Sequence, residues 1–221
     1  MKLIYNPLGF SMEISMNESN VLVIENSRAF EQFILQLNEQ IKGNSDFFYT
    51  DEEKITLFKK MDIVMSTFDL QISDREVQKK LYEHLVEEVE ISSLIDSFTD
   101  IHSKLINSLE QLNIYNDFEL DYNEEFSVSN MLKSLNVRIK ALDGDFCSKF
   151  VVYGEIMQRL LQKNCFVLCN CDAYLSEKDY SSLNKWAGYN EITLIFLQNR
   201  QLPWQKGFNE YIIDMDLCEI H

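Results

Sequence analysis

The densest run of groups able to do chemistry is DFELDYNEEF, where Asp117, Glu119 and Asp121 alternate and Asn123, Glu124 and Glu125 follow directly. Hard oxygen ligands at this density suit calcium, which takes six to eight of them, with Glu119, Asp121, Glu124 and Glu125 as the candidate ligands. The run is not an EF-hand loop, because counting from Asp117 puts Tyr122 where the invariant glycine belongs and Val128 where the closing glutamate belongs. An acidic solvated turn is the competing reading, and a metal site here needs further ligands from elsewhere in the fold.

Other chemistry is thin. Cys165, Cys169 and Cys171 sit in CFVLCNC, an apolar run that reads as a buried strand carrying reduced thiols. Zinc needs more ligands nearby than three histidines, His84, His102 and His221, supply. The strand-to-helix junction VLVIENSRAF stands where a phosphate loop would stand, yet it contains neither glycine nor lysine. Asp172, just past CFVLC, occupies the place of the acid that holds magnesium in phosphate-loop NTPases. A metal-dependent nuclease or NTPase built on Asp172 and the clustered acids is therefore the alternative to a non-enzymatic protein, and the missing loop favours the latter.

The formal charge is −16, but it is not evenly spread. Residues 83–125 hold twelve acids against the single base Lys104. Residues 126–163 carry Lys133, Arg138, Lys140, Lys149, Arg159 and Lys163 against three acids, and residues 54–80 also carry a small positive excess. Such segregation allows a locally basic surface on an acidic protein, with solvated helix faces as the plainer account.

The elements that position these groups follow from periodicity. LIYN, FSMEI, VLVIE, DFFYT and a stretch near KITLF read as strands, and RAFEQFILQLNEQIKG as an amphipathic helix. Two long helices come next: DREVQKKLYEHLVEEV, opened by an Asp cap, and SSLIDSFTDIHSKLINSLEQLN. An α/β pattern then resumes with the helix FCSKFVVYGEIMQRLLQKN, the strand CFVLCNC, a Ser-capped helix SEKDYSSLNKWAGY, and the strands EITLIFLQ and EYIIDM. The near-continuous apolar strands predict a mostly parallel sheet buried on both faces. The expected architecture is a discontinuous α/β head, residues 1–59 and 139–221, with a helical leg inserted at 60–138. No apolar run is long enough to span a bilayer and the start lacks a signal-peptide core, which predicts a cytoplasmic protein.

The α/β head with a degenerate phosphate-loop junction, the leg inserted near residue 60, the returning FELDYNEEFSVSNMLKSLNVRIK, and the strands CFVLCNCDAYLS and EITLIFLQNR together resemble the type II-A CRISPR-associated Csn-two family. The order and spacing of these segments carry the resemblance over essentially the whole length. It implies a calcium-stabilised homotetrameric ring that encircles linear double-stranded DNA at free ends. The ring would act in acquiring new spacers, alongside other CRISPR adaptation proteins and the effector nuclease. On that expectation Lys133, Arg138 and Lys140 contact phosphates, assisted by Lys59 and Lys60, without reading sequence. Lys133 and Lys140 align if one helix carries both, whereas Arg138 joins them only if the helix ends near Asn136.

Overall fold

The structure is a computed structural model that describes residues 2–50, 56–203 and 208–220. It divides into two compact units, Met1–Ile72 with Ala141–His221, and Ser73–Lys140.

In the first unit, β1 (Lys2–Tyr5), β2 (Phe10–Glu13) and β4 (Phe48–Thr50) form a small antiparallel sheet in the order β2-β1-β4. The larger sheet has the order β5-β6-β7-β3-β8-β9, from β5 (Met61–Val64), β6 (Cys165–Cys169), β7 (Thr193–Gln198), β3 (Ser19–Ile24), β8 (Asn209–Ile213) and β9 (Glu219–Ile220). All its pairings are parallel except β8 with β9. Every residue of β3, β6 and β7 is buried, as their unbroken apolar runs predict.

Two layers cover this sheet. Leu22, Ile24, Val167 and Ile195 face one side, packing with the small sheet and with Phe30, Phe33 and Leu37 of α1 (Ser27–Ile41). The alternate residues face the other: Phe166 meets Phe150 and Tyr153 of α6 (Phe146–Leu161), and Phe196 meets Tyr180 of α7 (Glu177–Tyr189). α6 and α7 approach closely at Gly154, where an added Cβ would lie 2.6 Å from the Trp186 ring. Gln40 of α1 is buried and its side-chain amide bonds both the N–H and the C=O of Phe48, each at 2.9 Å. It thereby pairs with β4 as a neighbouring strand would.

Three expectations change. KITLF falls partly outside the described residues, and its remainder lies in the short helix α2 (Thr56–Lys59) rather than a strand, with Leu57 and Phe58 turned into the core. Met61–Val64, read as the start of the leg, is a strand of the large sheet paired with β6, so the second unit begins at Ser73 rather than residue 60. It ends at Lys140 rather than 138. The early strands also form a sheet of their own, a partition made by long-range pairing that a local pattern does not encode.

The second unit holds α3 (Arg75–Ile91), α4 (Leu94–Ile114) and α5 (Val128–Ser134). Asp74 caps α3 through the Val77 N–H, and Ser127 caps α5 through the Asn130 N–H. Its core is small: Val89, Val128 and Leu132 are buried, with Tyr82, Leu85, Val86, Ile95 and Phe98 packed partly against them. α4 has no buried residue, and Ile101, Leu105 and Leu112 stay about half exposed.

Candidate nucleic-acid interface

Six of the seven cations in residues 73–140 come from two short stretches, 75–80 and 133–140: Arg75, Lys79, Lys80, Lys133, Arg138 and Lys140. Packing of α3 against α5 brings the two stretches together. The Gln78 side chain donates to the Val137 carbonyl at 2.7 Å, fastening the segment after α5 to the first turn of α3. Between the helices runs an open groove of about 680 Å³, with Arg75, Lys79 and Lys133 among its lining residues. Tyr82 and Val86 supply apolar lining further along. Lys79 lies 3.7 Å from Glu83, a contact weak at this exposure. Among the described residues Arg75 and Lys133 have no ion-pair partner.

α5 ends at Ser134, Leu135 caps it, and Asn136 takes a left-handed φ of 51° that turns the chain out of helix. Lys140 therefore does not continue the helical face of Lys133. Instead Val137 and Ile139 are half-buried while Arg138 and Lys140 between them are exposed, an extended alternation that puts both cations on the solvent side. Lys59 and Lys60 belong to the other unit, exposed at the end of α2. The sequence reading named Lys133, Arg138 and Lys140 but missed Arg75 and Lys79. Their signal was the positive excess of residues 54–80 and the spacing 75, 79, 82, 86, which marks one face of a helix.

The acids tell a different story. Glu119, Asp121, Glu124 and Glu125 are all exposed in an irregular stretch between α4 and α5. The stretch is tied down by the Leu120 N–H donating to the Asn113 side chain and the Glu125 N–H donating to that of Asn123. Among the described residues no group of three or more His, Cys, Asp or Glu is placed to hold a metal ion. The four carboxylates form no such group among the described residues.

The place where a phosphate loop would sit is filled from within. The Asn26 side chain accepts from the N–H groups of Arg28 and Ala29, the first free amides of α1, and donates to the Met215 carbonyl at 3.0 Å. Asp172 is turned onto Arg200, which follows β7, with contacts of 2.5 and 3.2 Å. A guanidinium stands against the carboxylate that an NTPase would aim at magnesium. Burial pushes the thiols of Cys165 and Cys171 up to about 12, which leaves them protonated core groups near neutral pH. Among the described residues no helix is long and apolar enough to cross a membrane.

Comparison with solved structures places the fold beside Stu0660 of Streptococcus thermophilus, at 15% identity and TM-score 0.66, covering 96% of this chain and 74% of that one. MJ1267, an ATP-binding cassette of an ABC transporter, aligns at 13% identity and TM-score 0.43, covering 92% and 79%. CbiO1 from Clostridium perfringens, part of the ABC transporter complex cbiONQ, aligns at 15% and 0.41, covering 87% and 71%. No curated protein gives a significant sequence match. The model of the CRISPR-associated protein family Cas_Csn2 matches residues 38–217, from within α1 to just before β9 and so across both units, and the chain belongs to that family.

Proposed function

We propose that this CRISPR-associated protein is a non-catalytic binder of double-stranded DNA that works in spacer acquisition as a homotetrameric ring around linear duplex. The supporting observation is that Arg75, Lys79 and Lys133, from opposite ends of residues 73–140, line one groove, with Arg138 and Lys140 exposed just after the Val137 that bonds Gln78, on a chain of net charge −16. A ring needs only a local positive wall toward the phosphates, and acids elsewhere discourage wrapping on its outside. Lys59 and Lys60 would add to the wall if assembly brings the two units to one bore. Other copies of the chain, CRISPR adaptation proteins and the effector nuclease are the proposed protein partners.

Calcium belongs to this reading as a ligand of the assembled protein, since the acids of 117–125 form no metal-holding group among the described residues. Calorimetry measures it directly: calcium uptake lost in Glu119→Ala with Asp121→Ala supports the role, and no uptake by the wild type removes it.

Linear and closed-circular duplexes of the same sequence test the ring. Linear DNA is expected to bind without turnover, independently of sequence, with affinity falling steeply as salt rises. Charge reversal at Arg75 and Lys133 should lower both affinity and salt slope. Equal binding of circular DNA, or a monomer by light scattering, would overturn the ring. Unchanged affinity in the reversed variant would overturn this surface.

A further inference from the structure

The groove between α3 and α5 has more chemistry than a wall for phosphates requires. Along α3 the lining residues change character in order. Arg75 and Lys79 come first, with Lys133 opposite them on α5. Tyr82, Glu83 and Val86 follow, Glu87 closes the far end, and Asp74 lines the cationic end. At 1.5 Å per residue, Arg75 to Glu87 spans about 18 Å, enough for a nucleotide laid along the helix. Tyr82 is half-buried, and its hydroxyl has no hydrogen-bond partner among the described residues. Glu83 is held by Lys80 at 2.7 Å, and Asp74 spends its carboxylate on the Val77 N–H. Glu87 has no ion-pair or hydrogen-bond partner among the described residues.

Resting on the duplex-binding reading, we propose that this groove captures an unpaired nucleotide at a DNA end. Its phosphate lies at Arg75, Lys79 and Lys133, its base stacks against Tyr82 and Val86, and the amino group of the base donates to the Glu87 carboxylate. Cations track a single strand and an aromatic ring supplies a stacking platform open to any base. A carboxylate beyond the ring then adds a preference, because cytosine and adenine carry an exocyclic amine to donate and thymine does not. A duplex interior offers its phosphates but keeps its bases stacked, so only frayed or overhanging ends reach Tyr82. The groove therefore distinguishes ends from interiors, a task the exposed Arg138 and Lys140 are not equipped for.

Fluorescence anisotropy with labelled duplexes that are blunt, or carry a short overhang of cytosines or of thymines, tests this on the full-length protein. The wild type should bind the cytosine overhang about tenfold tighter than the blunt duplex. Tyr82→Leu should erase the ratio between overhang and blunt affinity, while Tyr82→Phe retains it. Glu87→Ala should keep the overhang gain but abolish an about fivefold preference for cytosine over thymine. Equal wild-type affinity for blunt and overhanging duplexes overturns the nucleotide pocket and leaves the duplex-binding reading standing. Tyr82→Leu and Tyr82→Phe both weakening blunt binding as much as overhang binding overturns it too. Absence of any DNA binding removes both.

Discussion

The large sheet of the first unit and the helices of the second show two ways of being stable. In the sheet, β3, β6 and β7 are buried end to end and aromatic rings are clamped on both faces. The helical unit buries four apolar residues, Val77, Val89, Val128 and Leu132, and leaves α4 without a buried side chain. A deep core fixes one structure at the expense of surface to work with. A shallow one leaves charge and groove exposed, and local opening should come more easily there.

Core truncation separates the two most sharply. Phe166 is fully buried against Phe150 and Tyr153, and Phe166→Ala should cost about 3–5 kcal/mol of unfolding free energy in urea. Leu132→Ala, at the centre of the smaller core, should cost about 2 kcal/mol and raise amide exchange chiefly within residues 73–140. Equal effects on exchange in both units would break the distinction.

A smaller effect is expected at Gly154. Alanine is the better helix former by about 1 kcal/mol, but its Cβ would meet the Trp186 ring at 2.6 Å, so Gly154→Ala should lose about 1–2 kcal/mol net. Combining it with Trp186→Leu should recover part of the loss. A stabilised single variant would mean that α6 and α7 yield more easily than the layered packing implies.

The smallest effect concerns pH. Burial raises the Asp62 carboxyl above its ordinary value of 3.8, against the opposing hydrogen bond from the Tyr153 hydroxyl at 2.5 Å. The folded state then holds a proton that the unfolded chain has released. This contribution to stability is present below the ordinary value and lost as pH rises through the raised one. Asp62→Asn should flatten the fall of the urea midpoint as pH rises above the ordinary carboxylate range, and an unchanged profile would clear Asp62 of the role.

Much of the first unit was legible because a buried parallel strand is written as an unbroken apolar run, and helix starts are written in single caps. Asp74 caps α3, and Ser176 with Asp179 forms a reciprocal capping box at α7. MDIV was missed because four residues beside a change of pattern read as readily as a leg boundary. The separate small sheet was hidden in pairings such as Tyr5 with Phe48. The candidate interface was half legible: Lys133 stands out in a basic stretch, but its neighbours across the groove, Arg75 and Lys79, lie more than fifty residues earlier in the chain. With the acids, density in sequence suggested a ligand cage, yet carboxylates adjacent in an extended chain point apart unless a fold gathers them.

Gln40 carries a consequence for the edge of the small sheet. A sheet edge normally advertises an unsatisfied donor and acceptor, an invitation for a stranger's strand to join and for a fibre to begin. At Phe48 that invitation is withdrawn by the chain's own amide, without proline, bulge or surface charge. A leucine there would fill similar space and leave the backbone groups open. The glutamine thus acts as a gatekeeper that closes this point of the edge to a further strand.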